Sequence, residues 1–341
     1  MNNSEEKKPN LIILLKFLKV CLLGIIIFLI VGFFIPANPF SDKESVFRVE
    51  KGEGSKEISA NLEDQGIVFW GPMFRAYVLL SGASKKMQAG NYLLSPAMNI
   101  YKIAVKLRKG EVIKENVVLI EGWSLRDMDL YLKGKGVFEL GEFLAAASSS
   151  ADYSKYDFLK DKPKDMGLEG YLFPDTYQVN AGSDAKDLVL KMLDNFDKKL
   201  TPDLRAEIKK QGKTVFEIIT MASLIEKEVM TKEDKEMVSG IFWKRLKAGM
   251  PLDSCATIAY ILGVDKWRYS YEDTRIPSPY NTYMNAGLPL GPICNPGLES
   301  IKAAVYPKNS AFWFYLSTPE GETIYSKTLE EHNAAKVKYL K

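Results

Sequence analysis

The longest apolar run in the chain is Val20–Ile35 (VCLLGIIIFLIVGFFI), and it carries no charge. As a helix it is about 24 Å long, and Phe17 and Leu18 extend it while Lys16 and Lys19 can snorkel to headgroups. That approaches the roughly 30 Å of hydrocarbon in a bilayer. The pattern predicts a single transmembrane helix over 16–36. Lys7, Lys8, Lys16 and Lys19 precede the run, which predicts a cytoplasmic tail over 1–15 and the remainder of the chain on the far side of the membrane. A cleaved signal peptide is the rival reading, but PANPF after Ile35 offers no small-x-small cleavage site.

Beyond a short polar spacer, Val46–Val49 alternates like a strand. Ser55 is placed to cap a helix with Ile58 and Leu62 on one side, stopped by Gly66. A second helix over Pro72–Leu80, a strand near Tyr92–Leu94 and a helix over Ile100–Leu107 ended by Gly110 complete a small α+β module over 45–115. Gly52, Ile58, Leu62, Gly66 and Ile67 find an echo seventy residues on in Gly122, Met128, Leu132, Gly136 and Val137. Two copies do not make a solenoid. The second copy opens a connecting strand–helix segment over 116–155, which closes in the small, polar Ala145–Asp152 (AAASSSAD).

From there helices dominate a third region, 156–341. Asp184 caps a helix to Lys199, and Thr201-Pro202 is an N-cap followed by proline at the first helical position. Thr214-x-x-Glu217 and Thr328-x-x-Glu331 are capping boxes. Short strands are expected at Phe312–Ser317 and Thr323–Ser326, and the long Pro-, Gly-, Asn- and Tyr-rich loop from Lys266 to Pro296 has the character of a functional loop.

The helix from Val215 (VFEIITMASLIEKEV) has an apolar stripe of Val215, Ile218, Ile219, Ala222, Ile225 and Val229. At 3.6 residues per turn, Glu226 falls within about 20° of Ile219 and Val215 and about 40° from Ala222, so it points with the core side. Glu217 and Glu228 fall opposite, toward water. Glu233 reads as a solvated acid in the first turn of a helix capped by Thr231. An inward carboxylate is either a structural ion pair or a cleft acid whose pKa is raised by desolvation, able to donate a proton near neutral pH. Aromatic residues crowd nearby in sequence: Trp267, Tyr269, Tyr271, Tyr280 and Tyr283 in one cluster, Tyr171, Phe173 and Tyr177 in another. Sugar rings stack on aromatic faces and need polar partners for their hydroxyls, which Asn281, Thr282 and Asp175 could supply. Core packing is the plainer reading of most of these rings.

Composition narrows the classes. Lys plus Arg total 46 and Asp plus Glu 43, a net charge of +3, so overall charge does not suggest nucleic acid. A single histidine, His332, rules out multi-His metal sites, and Cys21, Cys255 and Cys294 lack zinc-ligand spacing. Cys255 and Cys294 could pair outside the cytoplasm.

LEGYLFPDTY (Leu168–Tyr177), ASLIEKE (Ala222–Glu228), FWKRLKAGMPL (Phe242–Leu252), SPYNTYMNAGLPLGPICNPG (Ser278–Gly297) and EEHN (Glu330–Asn333) together resemble the YceG-like, or MltG, endolytic murein transglycosylases in order and spacing. The resemblance implies an α+β chain with an N-terminal membrane anchor, a LysM-like module and an external catalytic domain. It implies cleavage of the MurNAc–GlcNAc bond within nascent peptidoglycan glycan strands, leaving 1,6-anhydro-MurNAc ends and ending elongation, beside peptidoglycan synthases. It implies Glu226, first acid of the I-E-K-E motif, as general acid and then base, with no cofactor and no metal. Tyr171, Asp175, Tyr177, Asn281, Thr282 and Tyr283 are the expected sugar contacts or orienting groups. Leu252-Asp253-Ser254-Cys255-Ala256-Thr257 departs from the family's usual L-Q-S-D-P-T, and Gly321-Glu322-Thr323-Ile324-Tyr325 lacks its usual histidine.

Two rival readings stand beside this one. A lysozyme-type hydrolase would use a second carboxylate, Asp175 or Asp253. A non-catalytic scaffold would hold glycan and recruit synthases.

Overall fold

The computed structural model describes residues 8–148, 153–180, 182–266 and 269–340, and in the first helix the side chains of residues 8–12, 25, 26 and 29–31 fall outside the description. The expected boundary over 145–152 is therefore half outside it, as is Trp267. The chain divides into two compact units. One comprises the chain to Glu115 together with Val179–Ser183, and the other comprises Asn116–Gln178 and Asp184–Lys341.

The first unit begins with α1 (Lys8–Phe34), whose described side chains from Ile13 to Phe28 are mostly exposed and apolar. Among the described residues no helix is long and apolar enough to cross a membrane. Next come β1 (Ser45–Val49), α2 (Ser55–Asp64), α3 (Gly71–Leu80), β2 (Gly90–Leu94) and α4 (Ile100–Lys109), in the order the hydrophobic pattern predicts. β1 and β2 pair antiparallel with Phe47 opposite Tyr92, and both side chains are buried with Ile58, Leu62, Phe74, Ile103 and Leu107. Gly54, not Ser55, is the N-cap of α2, and Glu57 Oε2 accepts from its N–H at 2.6 Å. Ser55 is instead the first helical residue. The last turn of α1 packs on this module, with Phe33 5.1 Å from Tyr77.

The chain then runs through β3 (Lys114–Val118), α5 (Leu125–Gly134), α6 (Glu142–Ala146) and β4 (Thr176–Asn180), with β3 and β4 forming a two-stranded sheet. The faint sequence echo is a shared local geometry. Gly66 and Gly136 adopt φ of 68° and 67°. Ile67 N donates to Leu62 O at 2.9 Å, and Val137 N to Leu132 O at 3.0 Å. In each copy a left-handed glycine ends the helix and turns the next apolar residue back onto the helix's own buried leucine.

The second unit continues with α7 (Ala185–Lys199), α8 (Pro202–Lys210), α9 (Val215–Glu228), α10 (Lys232–Lys247), α11 (Cys255–Leu262), α12 (Leu298–Val305), the hairpin of β5 (Phe314–Ser317) and β6 (Thr323–Ser326), and α13 (Leu329–Tyr339). The caps at Asp184, Thr201, Thr214, Thr231 and Thr328 all accept backbone hydrogen bonds as the sequence predicts. α9 departs from expectation. It packs against α8, α10, α11 and α12, and every residue from Ile218 to Ile225 is buried. That enclosure leaves Glu228 half-buried instead of turned fully to water as expected, while Lys227 beside it is exposed.

Candidate functional site

Two turns of α9 carry the chemistry of the second unit. Glu226 points inward as its phase predicts, and there it meets a cation. Lys235 Nζ, from the first turn of α10, lies 3.1 Å from Glu226 Oε1, and the two side chains are only 5% and 8% exposed. Gly297 N, at the start of α12, donates to Glu226 Oε2 at 2.8 Å. Glu121 lies close by, and partial burial together with the charge of Glu226 raises its pKa. Glu226 is therefore an inward acid paired with Lys235 and held by the Gly297 N–H.

Glu228 is half-buried and receives hydrogen bonds from the Ser254 hydroxyl, the Tyr315 hydroxyl and Ala256 N–H. Those donors favour its ionised form, but burial outweighs them and holds its pKa above the ordinary carboxylate range. It lines a cleft of about 690 Å³ with Lys227, Cys255, Ala256, Tyr269 and Lys336. Among the described residues, Glu226 lines neither this cleft nor the neighbouring one.

The loop that holds Glu228 is the one that departs from the family pattern. Asp253 sits at φ 53°, the one described non-glycine residue with positive φ. That turn directs Ser254 N onto Thr282 Oγ1 at 3.0 Å and Ser254 Oγ onto Glu228. Arg245 braces it, with Nη1 3.0 Å from Leu252 O and 3.4 Å from Asp253 Oδ2. Arg245 also closes on the β5 hairpin through Trp313 O.

The expected sugar contacts separate into two groups. Thr282 and Tyr283 reach the Glu228 neighbourhood. Thr282 is buried and orients Ser254, while Tyr283 OH lies 3.0 Å from Cys255 Sγ on the cleft wall. Asn281 is buried beneath them, its amide donating to Thr274 O and Ile276 O and its Oδ1 accepting from Tyr283 N, so it shapes the loop. Tyr171 is fully buried among Phe158 and Phe196. Tyr177 is buried with its hydroxyl on Phe173 O. These two are packing residues, a correction that follows from their enclosure. Asp175 is exposed, and its carboxylate is held below the usual range by Asn195 and Thr176 N–H, away from either cleft. Cys255 and Cys294, which the sequence left able to pair, are both free thiols, the second buried with its Sγ on Ser223 O. Tyr269 lines the Glu228 cleft, whereas Tyr280 packs on Tyr260 at 5.0 Å.

Sequence reasoning missed a further buried acid. Glu169 accepts from Leu125 N and Asn295 Nδ2, and burial pushes its pKa up to about 8. Asn295 is the hub of that network, its Oδ1 accepting from Gly170 N and Leu172 N, each at 3.0 Å. Gly170 adopts φ +88°, and a Cβ there would come within 2.8 Å of Ile219, so the LEGY turn closes on α9 only with glycine. Only the clustering of Glu169, Gly170 and Asn295 in the motif segments hinted at this. Among the described residues there is no cluster of His, Cys, Asp or Glu able to hold a metal.

The model of the YceG-like family matches residues 47–338 of the chain. The chain is similar to a Bacillus subtilis (strain 168) protein called endolytic murein transglycosylase, 32% identical over 302 residues, which cover 86% of this chain and 84% of that protein. It is 30% identical over 327 residues to a Streptococcus pneumoniae (strain D39) protein of the same name, covering 88% of this chain and 59% of the longer relative. A crystal structure of a YceG-like protein from Listeria monocytogenes, 32% identical, superposes with a TM-score of 0.60 over 87% of this chain and all of that one.

Proposed function

The chain belongs to the YceG-like family, and from that premise we propose that it is an endolytic murein transglycosylase whose acid is Glu228. The observation that carries the assignment is a half-buried carboxyl, held by the Ser254 hydroxyl, on the wall of a cleft of about 690 Å³. Cavities of that size are typical of ligand sites. The resemblance in sequence points to Glu226 for the same role. Its ion pair with Lys235, set against the place of Glu228 on the cleft wall, favours Glu228 instead.

Cleavage of a glycosidic bond needs a proton on the leaving oxygen as charge develops at C1. Protonated Glu228 supplies it, the C1–O bond breaks, and the acid is left as a carboxylate. That carboxylate then takes the proton of the MurNAc C6 hydroxyl as O6 bonds to C1. The product is a 1,6-anhydro end and no water is consumed. Because the nucleophile belongs to the substrate, its proximity replaces a second carboxylate. The Ser254, Tyr315 and Ala256 donors stabilise the carboxylate formed in the first step.

The reading extends to place. A wall glycan lies outside the cytoplasm, and the apolar exposed side chains of α1 suit a membrane anchor holding a LysM-like module and the cleft beside nascent strands and their synthases. A lysozyme-type hydrolase is the second reading, favoured by one observation: Asp253 lies one residue from the Ser254 that holds Glu228, and burial raises its pKa.

Mass spectrometry of glycan strands digested by the purified chain tests all of this. Anhydro ends, lacking one water relative to hydrolysed ends, are expected. Glu228→Gln is expected to lose about a hundredfold or more in rate, the scale of general acid catalysis. Full loss in Glu226→Gln with a folded, active Glu228→Gln would return the role to Glu226. Hydrated ends would favour the hydrolase.

A further inference from the structure

The loop between α2 and α3 reads GIVFWG from Gly66 to Gly71, and its apolar residues divide. Ile67 and Val68 are buried in the core of the first unit, whereas Phe69 is 88% exposed and Trp70 46%. Gly66, at φ 68°, turns the chain out of α2, and Gly71 N returns it to Glu63 Oε2 at 2.9 Å, so a fixed turn presents the two rings. Adjacent exposed aromatic rings of this kind mark a contact surface. We propose that this loop seats the small α+β module on a lipid bilayer, with the Phe69 and Trp70 rings at the depth of the headgroups. The inference rests on the reading of α1 as a membrane anchor and adds a second contact to it.

The partner is identified by what the loop adjoins. A small cavity of about 90 Å³ is lined by Phe69 and Trp70 from the loop and by Phe28, Gly32 and Ile35 from the end of the apolar run, and every side chain lining it is apolar. The loop therefore stands beside the last two turns of α1, about 10 Å of its length. That end is fixed on the module. Phe33 is buried 5.1 Å from Tyr77, and Phe34 lies 6.1 Å from Tyr101. Asn99 Nδ2 donates to Phe34 O at 3.3 Å, and a Cβ on Gly32 would fall 2.6 Å from Met73 Sδ. An apolar run that reaches Ile35 carries whatever stands beside residues 28–35 to the depth at which the run leaves the hydrocarbon. The exposed apolar side chains of α1 and the exposed rings of the loop thus adjoin, and a lipid leaflet is the partner that meets both.

The chemistry of the loop suits that depth. Tryptophan combines a large apolar ring with one N–H donor, and aromatic rings collect where hydrocarbon gives way to water. Arg75 on α3 and Lys102 on α4 are exposed, and both belong to the helices that hold the end of α1. Cations placed there suit the phosphates of anionic lipids.

The test uses the full chain reconstituted in vesicles of equal parts phosphatidylglycerol and phosphatidylethanolamine, the latter brominated near the top of its acyl chains. Emission from Trp70 is read as the difference between the parent and Trp70→Phe, because other tryptophans remain. Bromolipid is expected to quench that difference emission about twofold or more, and aqueous iodide to leave it nearly unchanged. Phe69→Glu, at an exposed position, should keep the circular dichroism of the parent and reduce the bromolipid quenching of Trp70 by about half, because a carboxylate resists entry into the leaflet. Undiminished quenching in that variant overturns the role of the loop. A Trp70 open to iodide and untouched by bromolipid overturns the seating, and a Trp70 shielded from both assigns the face to a second copy of the chain and overturns it equally. Washing the vesicles with alkaline carbonate separates the two readings. Release of the parent overturns the anchor and the seating with it, whereas a retained parent with unquenched Trp70 overturns the seating alone.

Discussion

Glu226 and Glu228 stand two residues apart at the end of α9, yet one carboxylate lies 3.1 Å from the Lys235 ammonium and the other accepts hydroxyl donors from Ser254 and Tyr315 on a cleft wall. The first is a buried ion pair, and burial of the second raises its pKa. Breaking the buried pair from one side leaves an uncompensated charge, at a typical cost of about 3–5 kcal/mol. Glu226→Gln and Lys235→Met are each expected to lower stability by that order in chemical denaturation. The double variant should recover most of the loss, because neither charge is then stranded. Additive losses would show that the pair is not the source.

The same contrast sets a pH effect on rate. The Ser254 hydroxyl favours the ionised form of Glu228. Ser254→Ala removes that donor, so the carboxyl should hold its proton to higher pH. The alkaline limb of kcat/KM, where the acid loses its proton, is expected to move upward in pH in this variant. An unmoved limb, with cleavage intact, would separate Glu228 from the titrating group.

Much of the fold was legible because it is written locally. Thr214, Thr328 and Asp184 cap helices through residues two or three positions away, and the left-handed turns at Gly66 and Gly136 depend only on their own segments. The site was legible to the level of the motif, but not to the partners of its two acids. Helical phase placed Glu226 inward correctly, yet nothing within α9 reveals that Lys235 waits there. The burial of Glu228 comes from Ser254, 26 residues on, and from Tyr315 in a distant hairpin. Aromatic clustering likewise could not separate Tyr171, enclosed by Phe158 and Phe196, from Tyr283, whose hydroxyl meets the cleft-lining Cys255, since both sit in similar sequence surroundings.

Tyr171 offers a direct check of that distinction. Its hydroxyl is buried without a hydrogen-bond partner among the described residues. Burying an unpaired hydroxyl costs stability, so Tyr171→Phe should leave cleavage rates within about twofold and stability unchanged or raised by about 1 kcal/mol. A large rise in KM would instead restore Tyr171 to the sugar site.

Glu169 and His332 give opposing pH dependences of stability. Burial raises Glu169 to about 8, so the folded chain binds a proton that the unfolded chain has lost above its ordinary value, and stability falls as pH rises toward 8. His332, stacked on Phe314, is depressed to about 4, chiefly by burial and then by Lys336 and Arg245. There the unfolded chain binds the extra proton, and stability rises with pH from about 4 to the ordinary histidine value of about 6.5. The two slopes oppose each other below that value, and Glu169 acts without that opposition above it. In thermal denaturation across pH 5 to 8, Glu169→Gln is therefore expected to show an unopposed rise of stability up to about 6.5 and a shallower loss between about 6.5 and 8. His332→Phe should leave the Glu169 fall unopposed, so that stability declines below about 6.5 as well as above it. An alkaline fall that persists undiminished in Glu169→Gln would assign it to another buried acid, with Glu228 the first to examine.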